Sequence, residues 1–180
     1  MKKIGILYSS VDGHTKEICT VLSKKLAKSD KKITLIPISK FNKNITDFEV
    51  IVIGASIRYG KHRKEVFKFI EQHKAKFPKL KTAFFSVNLV ARNSNKNSPE
   101  TNPYLLKFLK KIDWKPDLLE VFAGKLDYKA YSFLDRIMIQ LIMKLTHGPT
   151  SSKEAIDYTN WEKVARFSEK IMQLTSPPSK

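Results

Sequence analysis

The 180-residue sequence predicts an α/β fold: one doubly wound domain whose five-stranded parallel sheet has the order 2-1-3-4-5. Three observations predict it. Short apolar runs alternate with segments of helical period along almost the whole chain. The run Val50 to Gly54 is continuously apolar and ends at glycine, as a strand covered on both faces should be. The first run also ends in a hydroxyl-rich turn that opens directly into a helix, the place where such a sheet can hold an anion.

The first strand is Lys3-Ile4-Gly5-Ile6-Leu7-Tyr8, and an amphipathic helix starts at Thr15. Ile33-Thr34-Leu35-Ile36 is the second strand, and Val50-Ile51-Val52-Ile53-Gly54 the third. Thr82-Ala83-Phe84-Phe85-Ser86-Val87 and Leu118-Leu119-Glu120-Val121-Phe122-Ala123-Gly124 are the fourth and fifth. Residues about 63–76 and 102–112 carry helical period, and Trp161 to Leu174 supplies the last helix. Ligands in a doubly wound sheet sit beyond the carboxyl ends of the strands. Three segments fall there: the turn after the first strand, Ala55 to Gly60, and Asn88 to Asn97. No linker divides the chain, so residues 1–175 form one domain, with an insertion over about 125–157 and a flexible tail over 176–180.

Composition narrows the setting. The single cysteine, Cys19, excludes an internal disulfide, suits a reducing cytoplasm and reads as a small core residue. No apolar run reaches the length of about 20 residues that a membrane-crossing helix needs. The charge is +17, from 34 Lys and Arg against 17 Asp and Glu, which favours an anionic partner such as an acidic membrane face. No nucleic-acid-binding motif accompanies the charge, so nucleic acid is not an expected partner.

The turn Ser9-Ser10-Val11-Asp12-Gly13-His14-Thr15 has the chemistry of a phosphate cradle. Free amides of a helix's first turn and its macrodipole favour an anion. Ser9, Ser10 and Thr15 add hydroxyl donors, and Gly13 lets the backbone close around the group. The turn has neither the Lys of a Walker loop nor G-x-G-x-x-G, and suggests a phosphomonoester such as that of FMN. Four histidines show no metal-ligand spacing, so no metal is expected. His62 and His73 read as solvated helix residues, and His147 as the residue before a Gly148-Pro149 helix stop.

One segment exceeds the minimal plan. About thirty-five residues separate the fifth strand from the last helix. Within them Phe133 to Leu145 is strongly apolar, with Arg136, Gln140 and Lys144 as one narrow polar stripe. Such a helix packs on the sheet or contacts lipid or a partner.

Several blocks together carry a family resemblance: the hydroxyl-rich turn, Ile53-Gly54-Ala55-Ser56-Ile57-Arg58-Tyr59-Gly60, and Phe85-Ser86-Val87-Asn88-Leu89-Val90-Ala91-Arg92. Thr101-Asn102, Trp114-Lys115-Pro116-Asp117, Tyr131 to Lys144 and Tyr158-Thr159-Asn160-Trp161-Glu162 extend it end to end. On these residues the chain resembles the menaquinone-dependent protoporphyrinogen oxidases of bacteria, a flavodoxin-like family of haem biosynthesis. The resemblance implies a flavodoxin-like fold and one FMN. It also implies oxidation of protoporphyrinogen IX to protoporphyrin IX in three two-electron rounds, with the electrons passed to menaquinone or ubiquinone. Such proteins sit peripherally on the anionic cytoplasmic face of the inner membrane; a homo-oligomer is left open.

By matching position, Ser9 to Thr15 should hold the FMN phosphate. Ala55, Ser56, Ile57, Arg58, Tyr59 and Gly60, with Ser86, Val87, Asn88, Leu89, Ala91 and Arg92, should flank the isoalloxazine, Tyr59 stacking on it. Arg58 and Arg92, aided by Lys61 and Arg63, suit the two propionates of a porphyrinogen, or else balance charge on the FMN phosphate or the reduced flavin. The chemistry belongs to the flavin, and no residue is nominated as a catalytic acid or base. Tyr131, Phe133, Leu134, Ile137, Met138, Leu141, Ile142 and Leu145 are expected to touch the membrane or line the quinone site. A flavodoxin-type electron carrier and an NAD(P)H:quinone reductase are the alternatives, although carriers of that type are usually acidic and no nicotinamide motif is visible.

Overall fold

The computed structural model describes residues 3–175, so the tail expected over 176–180 lies outside the described residues. Its main strands are β1 (Lys3–Ser9), β2 (Lys32–Pro37), β3 (Val50–Arg58), β5 (Lys81–Asn88) and β6 (Leu118–Ala123), all parallel in the order β2-β1-β3-β5-β6. With β4 (Lys61–His62) set aside as an appendage of β3, this is the expected 2-1-3-4-5 order. Each central strand is apolar on both faces because both faces are covered. On one face, α1 (His14–Leu26) and α5 (Trp161–Leu174) bury Ile18, Leu22, Phe167 and Ile171 against Ile4, Ile6, Val52 and Phe85. On the other, α2 (Lys64–His73) and α3 (Pro103–Leu109) bury Val66, Phe69 and Phe108 against Leu7, Ile53 and Phe84. Cys19 lies in the first of these layers, and burial pushes its thiol pKa up.

Three details differ from the sequence expectation. The helix expected over 63–76 is α-helical only to His73 and continues as a 3₁₀ stretch, Lys74–Lys79, that contains Pro78. β3 runs on to Arg58 and folds back through a two-residue turn, Tyr59-Gly60, into β4. Both turn residues have positive φ, 52° and 73°, the backbone of a type I′ hairpin turn. A tyrosine in the left-handed region is uncommon, which is why the hairpin is not legible in the sequence. Finally, His62 is not a solvated helix residue: as the last residue of β4 it is buried between Phe84 and Phe108.

After β6, the strands β7 (Lys125–Leu126) and β8 (Ile156–Asp157) pair as a small antiparallel ribbon. Between them stands α4 (Phe133–Leu145). Ser132 caps it by accepting a hydrogen bond from the Asp135 amide. It ends with His147 in the left-handed region (φ 54°) and the Gly148 amide bonded to the Met143 carbonyl at 2.7 Å, a Schellman stop. His147 thus makes the stop itself rather than merely preceding it. Only Ile139 and Met143 on this helix are buried, in a satellite cluster with Leu126, Tyr128 and Tyr131.

Candidate functional site

The carboxyl ends of β1, β3 and β5 open into a cleft that is partly continuous with solvent. That is where a doubly wound sheet places its ligand. The β1–α1 turn and the β3–β4 hairpin form one wall, the strand end Val87–Asn88 and the following turn a second. Met138, Ile139 and Ile142 of α4, with Tyr131, close a third side.

The first wall is an anion cradle. Gly13 precedes α1 with φ 85°, and no side chain caps that helix, so its first amides remain available. Ser10 Oγ and Thr15 Oγ1 are buried and have no hydrogen-bond partner among the described residues, although both residues line the cleft. Orphaned buried hydroxyls are rare and costly, and a phosphomonoester would satisfy them. Ser9 is not free for that role: it donates to Glu65 Oε1 at 2.5 Å. His14 lines the cleft, but its ring nitrogens are also engaged, bonding Thr159 Oγ1 at 2.6 Å and Glu17 Oε2 at 3.0 Å, and so fix α1 to the segment before α5. Val11 is exposed outside the cleft.

Arg58 stands at the mouth, with Asp12 Oδ1 at 2.5 Å and Asp135 Oδ1 at 3.6 Å. Its guanidinium carbon lies 5.8 Å from the centre of the Tyr131 ring. Tyr59 Oη donates to Asp135 Oδ1 at 2.5 Å. That bond is the main reason the Asp135 carboxyl is held below the usual carboxylate range and the Tyr59 phenol above its own, with Ser132 a second donor to Asp135. Ser56, Ile57 and Gly60 complete this side, whereas Ala55 is buried within the sheet. Lys61 and Arg63 do not line the cleft, and Arg63 pairs with Glu65 at 3.2 Å.

The second wall is built differently. Val87, Asn88 and Leu89 face the cleft; Ser86, Ala91 and Arg92 do not. Ser86 is fully buried, its hydroxyl bonded to His62 Nε2 at 3.0 Å. Desolvation lowers the His62 pKa to about 3, so the ring is neutral. Asn88 Oδ1 accepts from the Ala91 amide at 3.1 Å and from Asn102 Nδ2 at 3.2 Å, which fixes the 3₁₀ turn Leu89–Arg92. Arg92 does not converge with Arg58. It donates to the Leu89 carbonyl at 3.0 Å and to the carbonyl and hydroxyl of Thr146, both at 2.8 Å, so it ties this turn to the end of α4.

The segment expected to meet the membrane or quinone divides in two. Phe133, Leu134, Ile137, Leu141 and Leu145 point outward, with Phe133, Leu134 and Leu145 at least 70% exposed. Met138 and Ile142 reach the cleft. Tyr131 does not share the outer face: it is buried, its hydroxyl donating to the Lys125 carbonyl at 3.2 Å. Residues missed in the sequence are Glu17, Tyr104, Gly124, Lys125, Asp127, Ala130 and Ile139. The rule of carboxyl strand ends points to 124–127, immediately after β6; the hydrophobic period of α4 singles out no one residue as Ile139. Among the described residues, no group of three or more His, Cys, Asp or Glu is placed to hold a metal ion.

A flavodoxin domain model matches residues 5–153. A protoporphyrinogen IX dehydrogenase (quinone) of Leishmania major is 42% identical over 177 residues, 96% of this chain and 77% of that protein. Its counterpart in Escherichia coli strain K12 is 39% identical over 175 residues, 97% of each chain. The crystal structure of oxidised flavodoxin 1 from Bacillus cereus superimposes with a TM-score of 0.56 at 14% identity, over 96% of this chain and 98% of that one, a likeness of fold. With a domain match over most of its length and near-full-length identity to these relatives, the chain belongs to the flavodoxin-domain family and, within it, to the protoporphyrinogen IX dehydrogenases (quinone).

Proposed function

We propose that this protein oxidises protoporphyrinogen IX to protoporphyrin IX with FMN as its flavin and delivers the electrons to a respiratory quinone, menaquinone or ubiquinone, in haem biosynthesis. The observation that carries the reading is one cleft that joins a cradle with orphaned hydroxyls to a guanidinium at its mouth. Ser10, Thr15 and the first amides of α1 would hold the phosphate. The turns at Tyr59–Gly60 and Asn88–Leu89 would bound the ring system, their apolar atoms excluding water. When bound, FMN supplies the two-electron chemistry that links a porphyrinogen donor to a quinone acceptor. Arg58 is suited to a propionate because its planar fork matches a carboxylate.

The exposed face of α4 supports peripheral docking on the cytoplasmic face of an anionic membrane. A contiguous apolar patch of this kind on a soluble surface marks an interaction site. The +17 charge adds attraction to acidic headgroups, about 1 kcal/mol for each well-placed cation. No helix among the described residues is long and apolar enough to cross a membrane. The paired substitution Leu134→Asp/Leu141→Asp should abolish sedimentation with phosphatidylglycerol vesicles and leave FMN binding intact.

The deciding experiment is anaerobic mixing of FMN-loaded protein with protoporphyrinogen IX. Flavin absorbance should bleach as porphyrin fluorescence rises, and a menaquinone analogue should restore the oxidised spectrum. Bleaching by NADPH with no response to protoporphyrinogen would overturn the reading.

A further inference from the structure

Arg58 is divided between two carboxylates that come from opposite sides of the mouth. Asp12 belongs to the β1–α1 turn and meets one terminal nitrogen at 2.5 Å; Asp135 belongs to the first turn of α4 and meets the other at 3.6 Å. The two contacts are not equivalent. Asp12 is close enough for a charge-assisted hydrogen bond, whereas Asp135 is within ion-pair range only. Asp135 has partners of its own, accepting from Tyr59 Oη at 2.5 Å and Ser132 Oγ at 2.8 Å. Its side chain is 21% exposed. Separation from Arg58 would therefore leave Asp135 hydrogen-bonded and in contact with water, with no buried charge uncompensated.

These features make Asp135 the partner that a competing carboxylate removes most easily. A propionate offers two oxygens to the guanidinium edge that Asp135 engages loosely. Asp135 also sets a threshold. In a protein of charge +17, an open guanidinium at a cleft mouth would attract any small anion or acidic headgroup. A ligand takes it from Asp135 only if it pairs well and gains further from burying an apolar body between the cleft walls.

We propose that Asp135 is a specificity-setting residue of the substrate site: its carboxylate holds Arg58 in place of a substrate carboxylate and yields it to a propionate-bearing tetrapyrrole. The inference rests on the porphyrinogen reading above and adds a residue and a discrimination that the reading does not contain. Because Asp135 is the third residue of α4, substrate capture also unfastens one link between that helix and the β3–β4 hairpin.

The test uses FMN-loaded protein in detergent and two probes, mesoporphyrin IX and its dimethyl ester, with binding read by fluorescence. Asp135→Asn keeps one oxygen to accept from Tyr59, presents its NH2 to the Ser132 hydroxyl, which can accept, and removes the charge. It should tighten mesoporphyrin IX about two- to fivefold, the range expected for a partly exposed ion pair, and leave the ester unchanged. Arg58→Gln should erase the preference for acid over ester, and adding Asp135→Asn to it should then have no further effect. Unchanged or weaker binding of the acid by Asp135→Asn, or equal tightening of acid and ester, would overturn the proposal. So would tighter FMN without tighter riboflavin, which would assign the guanidinium to the cofactor. If neither porphyrin binds the unaltered protein, the porphyrinogen reading itself falls, and this inference with it.

Discussion

On one wall of the cleft, Ser10 and Thr15 hold buried hydroxyls without partners among the described residues, and Arg58 pairs at the mouth with two partly exposed carboxylates. On the other, Ser86, Asn88 and Arg92 direct their polar groups into the protein: to His62, to the Ala91 amide and Asn102, and to Leu89 and Thr146. Both walls carry serines and one arginine at the carboxyl edge of the same sheet, so residue type does not separate them. Hydrogen-bond partnership does. A group already satisfied inside the fold gains little from a ligand, whereas an orphaned group gains the full bond.

The contrast predicts that changes on the second wall cost stability and changes on the first cost binding. The largest effect is expected for Arg92→Ala, which leaves the Thr146 and Leu89 carbonyls without their charged donor. It should cost about 2–4 kcal/mol, a fall in Tm of roughly 5–15 °C, with the substrate KM of the folded protein unchanged. A raised KM with Tm intact would place Arg92 in the binding machinery instead.

His62, which β4 places against Ser86 beneath the second wall, adds a pH signature. Its folded pKa of about 3 lies below the ordinary value of 6.5, so between those values the unfolded chain takes up a proton that the folded chain refuses. Stability is at its full value above about 6.5 and falls as pH drops toward 3, by on the order of a few kcal/mol. Denaturant melts of His62→Leu between pH 7 and 4.5 should show a shallower loss than the unaltered protein. An identical slope would mean that the ring titrates without penalty.

On the first wall, Thr15→Ala should weaken FMN about ten- to hundredfold, the worth of one hydrogen bond to a charged group. Riboflavin, which lacks the phosphate, should bind as before, and Tm without added flavin should not fall. Equal losses for both flavins would remove Thr15 from the phosphate cradle. The smallest effect is that of Arg58→Ala, whose partners are partly exposed: KM should rise about fivefold with Tm within about 2 °C. If Tm falls instead, Arg58 belongs with the structural wall.

Much of this was legible in the sequence because it is local. Val50 to Ile53 is a buried strand by its own composition, and Gly13 marks a left-handed backbone before a helix. Ser10 and Thr15 lie at the cleft with their hydroxyls unpartnered among the described residues, as a local reading of the turn suggests. Whether the side chains of Ser9 and His14, in the same turn, are available to a ligand depends instead on Glu65 and Thr159, which lie 56 and 145 residues away. His62 likewise reads as polar and solvated until β4 carries it beneath Phe84 and Phe108.

By itself, then, the sequence determined the order of strands and helices, the turn that can hold a phosphate and the apolar character of 133–145, since period, backbone freedom and side-chain chemistry are properties of short segments. Only the tertiary structure decided that Arg58 and Arg92 part company, that Tyr131 turns inward while Leu134 turns outward, and that Asp135 reaches Arg58 across the cleft. Those outcomes depend on which distant group meets each side chain, and that is fixed when the layers pack.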